Sequence, residues 1–295
     1  MLAPPTQLTL AAHAQQSISR ACSRAHSCSP SSQRARARIH SHGQHITCLR
    51  ARHVRARTRS ATAAAAADHN PDVVAQTNAR GEARVAVFVS GGGSNLRALE
   101  EAMQAKKFAK LGVVVTNKAT CGGAQFARDA GVPVVVYPPP KTAVETDDEV
   151  AEDGVQLVEA LQSHGVNYVL LAGYLKLIPE QLVAAYTRRI LNIHPALLPS
   201  PFGGKGMYGQ RVHAAVLESG AKVCGCTVHF VDEEYDRGAI LGQRTVDVLQ
   251  GDTAEDLAKR VLAYEHKLFP WCAQALCEDR VQWDDQGVPW IVDDK

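Results

Sequence analysis

Asn192 and His194 stand two positions apart in the run Ile190-Leu191-Asn192-Ile193-His194-Pro195. In an extended chain, side chains at i and i+2 leave the same face, so an amide and an imidazole are presented together. Pro195 has no N–H to give to a ladder and ends the strand. Presented together, the two could act on one ligand group. The same pair could also do no more than satisfy backbone groups at a strand end. A carboxylate to complete the chemistry is available further on, in Thr227-Val228-His229-Phe230-Val231-Asp232-Glu233-Glu234-Tyr235-Asp236-Arg237-Gly238. Any single acid in that connection reads as solvated surface, so it is the combination that matters.

Two further stretches could bind ligands. Ser90-Gly91-Gly92-Gly93-Ser94-Asn95-Leu96 follows a strand-like run and opens a helical one, a loop that can turn backbone N–H groups and a helix N-terminus toward a phosphate. A dinucleotide fingerprint started at Gly91 needs a third Gly where Leu96 stands, and an acid near Thr116-Asn117-Lys118, where none is present. No Gly-Lys is followed by Ser or Thr, so a P-loop is absent as well. A monophosphate suits the loop best, and a bare turn stays open. The second stretch, Leu171-Ala172-Gly173-Tyr174-Leu175-Lys176-Leu177-Ile178-Pro179, leaves a strand through a Gly that permits a tight exit, and can line an apolar slot with free backbone groups.

The elements that must position these residues are legible in the hydrophobic pattern. Arg84 to Val89, Gly112 to Thr116, Pro133 to Tyr137 and Asn167 to Ala172 are short, nearly all-apolar runs, as in strands buried on both faces. Between them Leu96, Leu99 and Met103 recur at helical spacing, and helical periodicity runs from about Glu145 to Ser163. Alternating strands and helices predict an α/β fold with a mostly parallel, doubly wound sheet and ligands at the carboxyl ends of its strands. After Gly220 the pattern predicts two antiparallel strands, Val223 to Val231 and Ile240 to Val248, and then a helix from about Thr253 to Cys277 capped by Asp252 or Thr253.

Composition sets the outer limits. The chain has 295 residues and a net charge of +2, but residues 1–67 hold ten Arg and no Lys, Asp or Glu. That leaves 22 basic residues against all 30 acidic ones in the remainder, a net of −8. An Arg-rich, Ser-rich, acid-free leader ending in Ala63 to Ala67 predicts an organelle transit peptide. Arg50 to Arg59 could instead form a nucleic-acid arm, but the acidic body behind it has the wrong sign for such a partner. No apolar stretch reaches the length of a membrane span. Beyond the leader, Cys121, Cys224, Cys226, Cys272 and Cys277 form an odd, scattered set that predicts reduced thiols. Cys224 and Cys226 share a strand face, where packing is favoured over a metal or redox pair.

Ser90 to Leu96, Leu171 to Pro179, Asn192 to Pro199 and Thr227 to Gly238, in this order, resemble the phosphoribosylglycinamide formyltransferase family, in its plant and algal organellar form. The likeness covers about residues 84–283. It implies a Rossmann-like formyltransferase fold, with antiparallel strands in the C-terminal half of the sheet. It divides the chain into a disordered transit peptide and linker over 1–70, a single formyltransferase domain over 82–283 and a tail over 284–295. The implied reaction moves a formyl group from 10-formyltetrahydrofolate to the amine of 5-phosphoribosylglycinamide (GAR), in purine biosynthesis, with no metal and no covalent nucleophile.

The resemblance also implies roles. Asn192 would hold the formyl oxygen, His194 would stabilise the oxyanion, and Asp236 would pair with His194 and raise its pKa. Thr227 and His229 would orient the Asp-bearing loop, with a packing role for His229 equally open. Gly92, Gly93, Ser94 and Asn95 would cradle the GAR phosphate, and Glu265 would contact the ribose. At Leu262 some relatives carry a polar residue. Folate would lie along Leu175, Lys176, Leu177 and Ile178, with Lys176 standing where several relatives have Arg. Phe202 to Gly209 resembles a longer version of a family loop. A formyltetrahydrofolate hydrolase using the same residues is the alternative function, and a non-catalytic binder of a phosphorylated metabolite is a weaker one. The expected partners are the two small substrates, without nucleic acid or membrane, and a homodimer is left open. The expected compartment is the chloroplast, with the mitochondrion as alternative.

Overall fold

The computed structural model describes residues 82–139 and 148–292. The transit peptide and linker expected over 1–70 lie outside the described residues. The strands are β1 (Arg84–Val89), β2 (Lys110–Thr116), β3 (Val134–Val136), β4 (Glu149–Val150), β5 (Tyr168–Leu171), β6 (Ile190–His194), β7 (Val223–Phe230), β8 (Ile240–Asp247), β9 (Val281–Trp283) and β10 (Pro289–Ile291). The helices, numbered in the same way, are α1 (Ser94–Lys106), α2 (Gly122–Asp129), α3 (Gly154–Ser163), α4 (Glu180–Ala185), α5 (Gln210–Glu218) and α6 (Ala254–Cys277).

Eight strands form one sheet in the order β4-β3-β2-β1-β5-β6-β7-β8. The pairs from β4 through β6 are parallel, and β7 and β8 join antiparallel. The chain steps outward from β1 to β4 on one side and from β5 onward on the other. The switch therefore falls between β1 and β5, where a crevice opens beyond the strand ends. Side-chain alternation sends Val85, Val87 and Val89 to one buried layer and Ala86 and Phe88 to the other, so β1 is apolar on both faces as its sequence predicts.

Two expectations need correction, and one open alternative is decided. The helical pattern from about Glu145 to Ser163 begins as a helix only at Gly154. Asp153 caps it by accepting from Val155 N at 2.8 Å and Gln156 N at 2.9 Å, and Glu149–Val150 instead adds an edge strand to β3; residues 145–147 lie outside the described part. The helix after β8 is capped by Thr253 with Asp256 in a capping box. Asp252 pairs with Arg260 at 2.7 Å instead. Residues 284–292 are no tail: β9 and β10 form an antiparallel hairpin, and Trp283 packs on Phe230 with ring centroids 4.7 Å apart. The domain therefore runs past 283, with Pro289 buried and Ile291 packed against the core.

All five cysteines among the described residues are free thiols, and Cys224 and Cys226 are buried in the core. No helix of the described residues is long and apolar enough to cross a membrane.

Candidate active site

The β6–β7 ladder assembles the chemistry. Cys224, Cys226, Val228 and Phe230 pack into one core layer, so Thr227 and His229, at the other parity, face the opposite side. Asn192 and His194 do the same on β6, whose Leu191 and Ile193 enter that core layer. The register sets Asn192 opposite His229 and His194 opposite Thr227. Four polar side chains thus share one patch at the end of the sheet, where a buried strand interior would otherwise call for Val or Ile.

Asp236 reaches this patch from the β7–β8 connection, on a backbone with φ 54°, a left-handed conformation held at some cost for a non-Gly residue. Its Oδ2 lies 3.5 Å from His194 Nδ1 and accepts from Gly204 N at 2.8 Å. Its Oδ1 lies 3.5 Å from His229 Nε2 and 3.3 Å from Asn192 Nδ2. Asn192 Nδ2 also lies 3.0 Å from His229 Nε2. His229 Nδ1 must donate to Phe230 O at 2.7 Å, a carbonyl being only an acceptor, so in the neutral ring Nε2 accepts from Asn192. By the same reasoning His194 Nε2 carries a proton that it gives to Phe202 O at 2.8 Å.

Thr227 behaves differently from its expected role. Its hydroxyl donates to Ala196 O at 2.7 Å and accepts from Leu198 N at 3.0 Å, so it pins the segment after His194 and not the Asp-bearing loop. His229 does reach Asp236, as expected.

The charges are set by burial first. Burial pulls the His194 pKa below its ordinary value, against the upward pull of Asp236 and of the Phe202 hydrogen bond. Asp236 does pull the His194 pKa up, as expected, but burial, with His194 only 4% exposed, is larger and sets the net direction. Burial pushes the Asp236 carboxyl up, but the two neighbouring imidazoles of His229 and His194 and the Gly204 N–H outweigh it and hold it below the usual range. The pair is thus a neutral imidazole beside a carboxylate at neutral pH.

These groups open into a cleft of about 840 Å³. One wall is the β5–α4 connection, where Tyr174 to Ile178 line the space. Leu175 and Leu177 are 43% and 53% exposed, large apolar groups that suit a flat ligand. The Leu175 N–H is given to Ser90 Oγ at 3.0 Å and is not free for a ligand. Asp232, Glu234 and Tyr235 close that side, and residues 204–210 form the rim.

The other wall comes from α6, with Ala258, Lys259, Leu262 and Glu265, and from Asn95 of the glycine loop. Gly93 takes φ 77°, and a Cβ there would lie 2.7 Å from Gly123 Cα. Only Gly permits this crossing of the loop over the start of α2. Gly92 and Ser94 are exposed, and Asn95 is buried with its Nδ2 on Glu265 Oε2 at 2.7 Å. Burial pushes the Glu265 carboxyl up, with the Asn95 bond opposing.

Ten of the expected site residues line this cleft, whereas Gly92, Gly93, Ser94 and Thr227 do not. His213 of α5 also lines the cleft and is missing from the sequence-based set. The buried Val212 and Val216 give a helical period for α5, but no local signal says that the His between them faces a ligand space. Among the described residues no group of three or more His, Cys, Asp or Glu is placed to hold a metal.

The comparisons with known proteins agree with this geometry. A formyl transferase family model matches residues 83–272. The chain is 51% identical over 231 residues to the chloroplastic phosphoribosylglycinamide formyltransferase of Arabidopsis thaliana, covering 77% of each chain. It is 37% identical to the trifunctional purine biosynthetic protein adenosine-3 of Homo sapiens, covering 72% of this chain and 20% of that one. A solved glycinamide ribonucleotide transformylase 1 from Symbiobacterium toebii superposes with a TM-score of 0.63 at 38% identity, over 72% of this chain and 95% of that chain. The chain belongs to the formyl transferase family.

Proposed function

We infer that this protein is a phosphoribosylglycinamide formyltransferase of purine biosynthesis, acting in the chloroplast, with formyltetrahydrofolate as cosubstrate. The observation that carries the reading is the meeting of Asn192, His194 and Asp236 at the floor of a cleft with two unlike walls. The apolar wall at Tyr174 to Ile178 takes the pterin of 10-formyltetrahydrofolate, and Lys176 meets its glutamate tail as a point charge. The wall with the glycine loop and Glu265 takes the phosphate and ribose of GAR, with backbone N–H groups and the α1 N-terminus facing the phosphate.

The GAR amine attacks the formyl carbon, the C=O bond becomes a C–O single bond, and negative charge gathers on that oxygen. Asn192 Nδ2 gives up its longer contact, 3.3 Å to Asp236, and donates to the oxyanion. His194 donates the Nε2–H now held by Phe202 O, acting as a neutral hydrogen-bond donor. Asp236, held ionised, accepts the proton that the amine loses through water. That proton passes to the folate nitrogen as its bond to the formyl carbon breaks. Formyl-GAR and tetrahydrofolate leave.

Deformylation of 10-formyltetrahydrofolate is followed optically with and without GAR, using the chain from Asp68 onward. Turnover that requires GAR is the expected result. Equal turnover without it would make water the acceptor and the protein a hydrolase.

A further inference from the structure

His213 is 4% exposed, lines the cleft, and keeps a buried Nδ1 with no hydrogen-bond partner among the described residues. An unpaired buried ring nitrogen is costly, and such groups are retained where a ligand supplies the partner. Asn95 is in the same condition: it lines the same cleft, and its Oδ1 is buried without a partner while Nδ2 is on Glu265. Two residues lining one cleft thus each keep an unfilled polar atom, which marks a place built for a polar ligand.

The position of His213 says which part of the ligand. Its helix, α5, packs on α6, the helix that carries Glu265, so His213 belongs to the acceptor side of the cleft. His194 and Glu265 line the same cleft, so His213 shares it with both the ribose end of the site and the reacting centre. In GAR the group between ribose and attacking amine is a secondary amide, with one acceptor oxygen and one donor N–H. A neutral imidazole offers one donor and one acceptor in return.

We propose that His213 is a substrate-positioning residue that hydrogen-bonds the amide of the glycinamide group and so aims the amine at the formyl carbon. This rests on the reading of the protein as a GAR formyltransferase. Burial and the neighbouring His194 keep the ring neutral, with its pKa pushed down to about 4, so it adds no charge to a site that must stabilise an anion by directed N–H groups.

The test compares His213→Leu, which keeps size without polarity, with His213→Asn, which restores a donor and an acceptor. Steady-state constants are measured for both substrates on folded protein. In His213→Leu the KM for GAR should rise about 10-fold or more, the size of one lost hydrogen bond, with lower kcat and an unchanged KM for 10-formyltetrahydrofolate. His213→Asn should recover part of the GAR affinity. An unchanged KM for GAR, or equal losses for both substrates that Asn does not recover, would overturn the proposal. Should the Leu variant not fold, ¹⁵N imidazole spectra of the wild type decide: GAR must shift the His213 ring resonances, and the absence of a shift overturns it. A wild type whose turnover ignores GAR would sink the parent reading, which is a separate outcome.

Discussion

Asp236 is the most connected side chain of the site, taking contacts from Asn192, His194, His229 and Gly204 at once. The Asn192 and Gly204 N–H groups favour the carboxylate and help to offset the cost of burying it. Asn192 and His194 then present N–H groups that exchange their present partners, Asp236 and Phe202 O, for the oxygen on which charge develops. Replacing Asn192 or His194 by Ala should lower kcat by about 10² to 10³, the usual weight of one such donor, with far-UV circular dichroism unchanged. A His194→Ala enzyme with near-normal turnover would remove the oxyanion role altogether. The pair Asn192 and His194 is legible in the sequence because a period of two puts both on one strand face. Their neighbours His229 and Thr227 are less so, because a cross-strand register places them, and nothing local distinguishes the hydroxyl that pins Ala196 and Leu198 from one that would orient Asp236.

At the scale of elements, the glycine loop and the start of α2 are a single unit. Gly123 N donates to Gly91 O at 3.0 Å, and Arg97 Nη1 holds Gly92 O at 2.5 Å. The close approach of Gly93 to the Gly123 backbone leaves no room for a side chain, and its φ of 77° is itself unfavourable for one. Gly93→Ala should therefore destabilise the protein by about 1–3 kcal/mol and weaken GAR binding while leaving folate affinity near normal. A thermal melt and titrations with each substrate check this; equal affinity for GAR would show that the loop does not hold the phosphate. The element boundaries read from sequence failed where capping or edge pairing decided them. Asp153 started α3 late because its carboxylate meets two backbone N–H groups, an advantage that apolar spacing does not report.

For the molecule as a whole, buried histidines set the response to acid. His213, His194 and His266 all have pKa values lowered by burial, His213 to about 4. Between the ordinary value of 6.5 and the folded value, the unfolded chain binds more protons than the native one, so stability falls as pH drops through that window. Each such imidazole contributes a slope of up to about 1.4 kcal/mol per pH unit there. Asp236, held below its ordinary range, adds a loss of the same sign at still lower pH. Glu265 works the other way, because its raised carboxyl favours the protonated native state and loses that advantage as pH rises. The net expectation is a melting temperature that falls steadily from pH 6.5 toward 4, and less steeply in His213→Asn. A flat profile would mean that these rings are not buried in solution.

The sequence by itself determined the alternating α/β order, the apolar strands, the glycine loop, the paired Asn192 and His194, and the family resemblance. Those features rest on periodicity and on residue types whose chemistry is local. Only the tertiary structure decided that burial outweighs Asp236 in setting the charge of His194, that the chain beyond 283 folds back as a hairpin, and that His213 faces the cleft. Each of these depends on distances between segments far apart in the chain, and a one-dimensional pattern carries no measure of such distances.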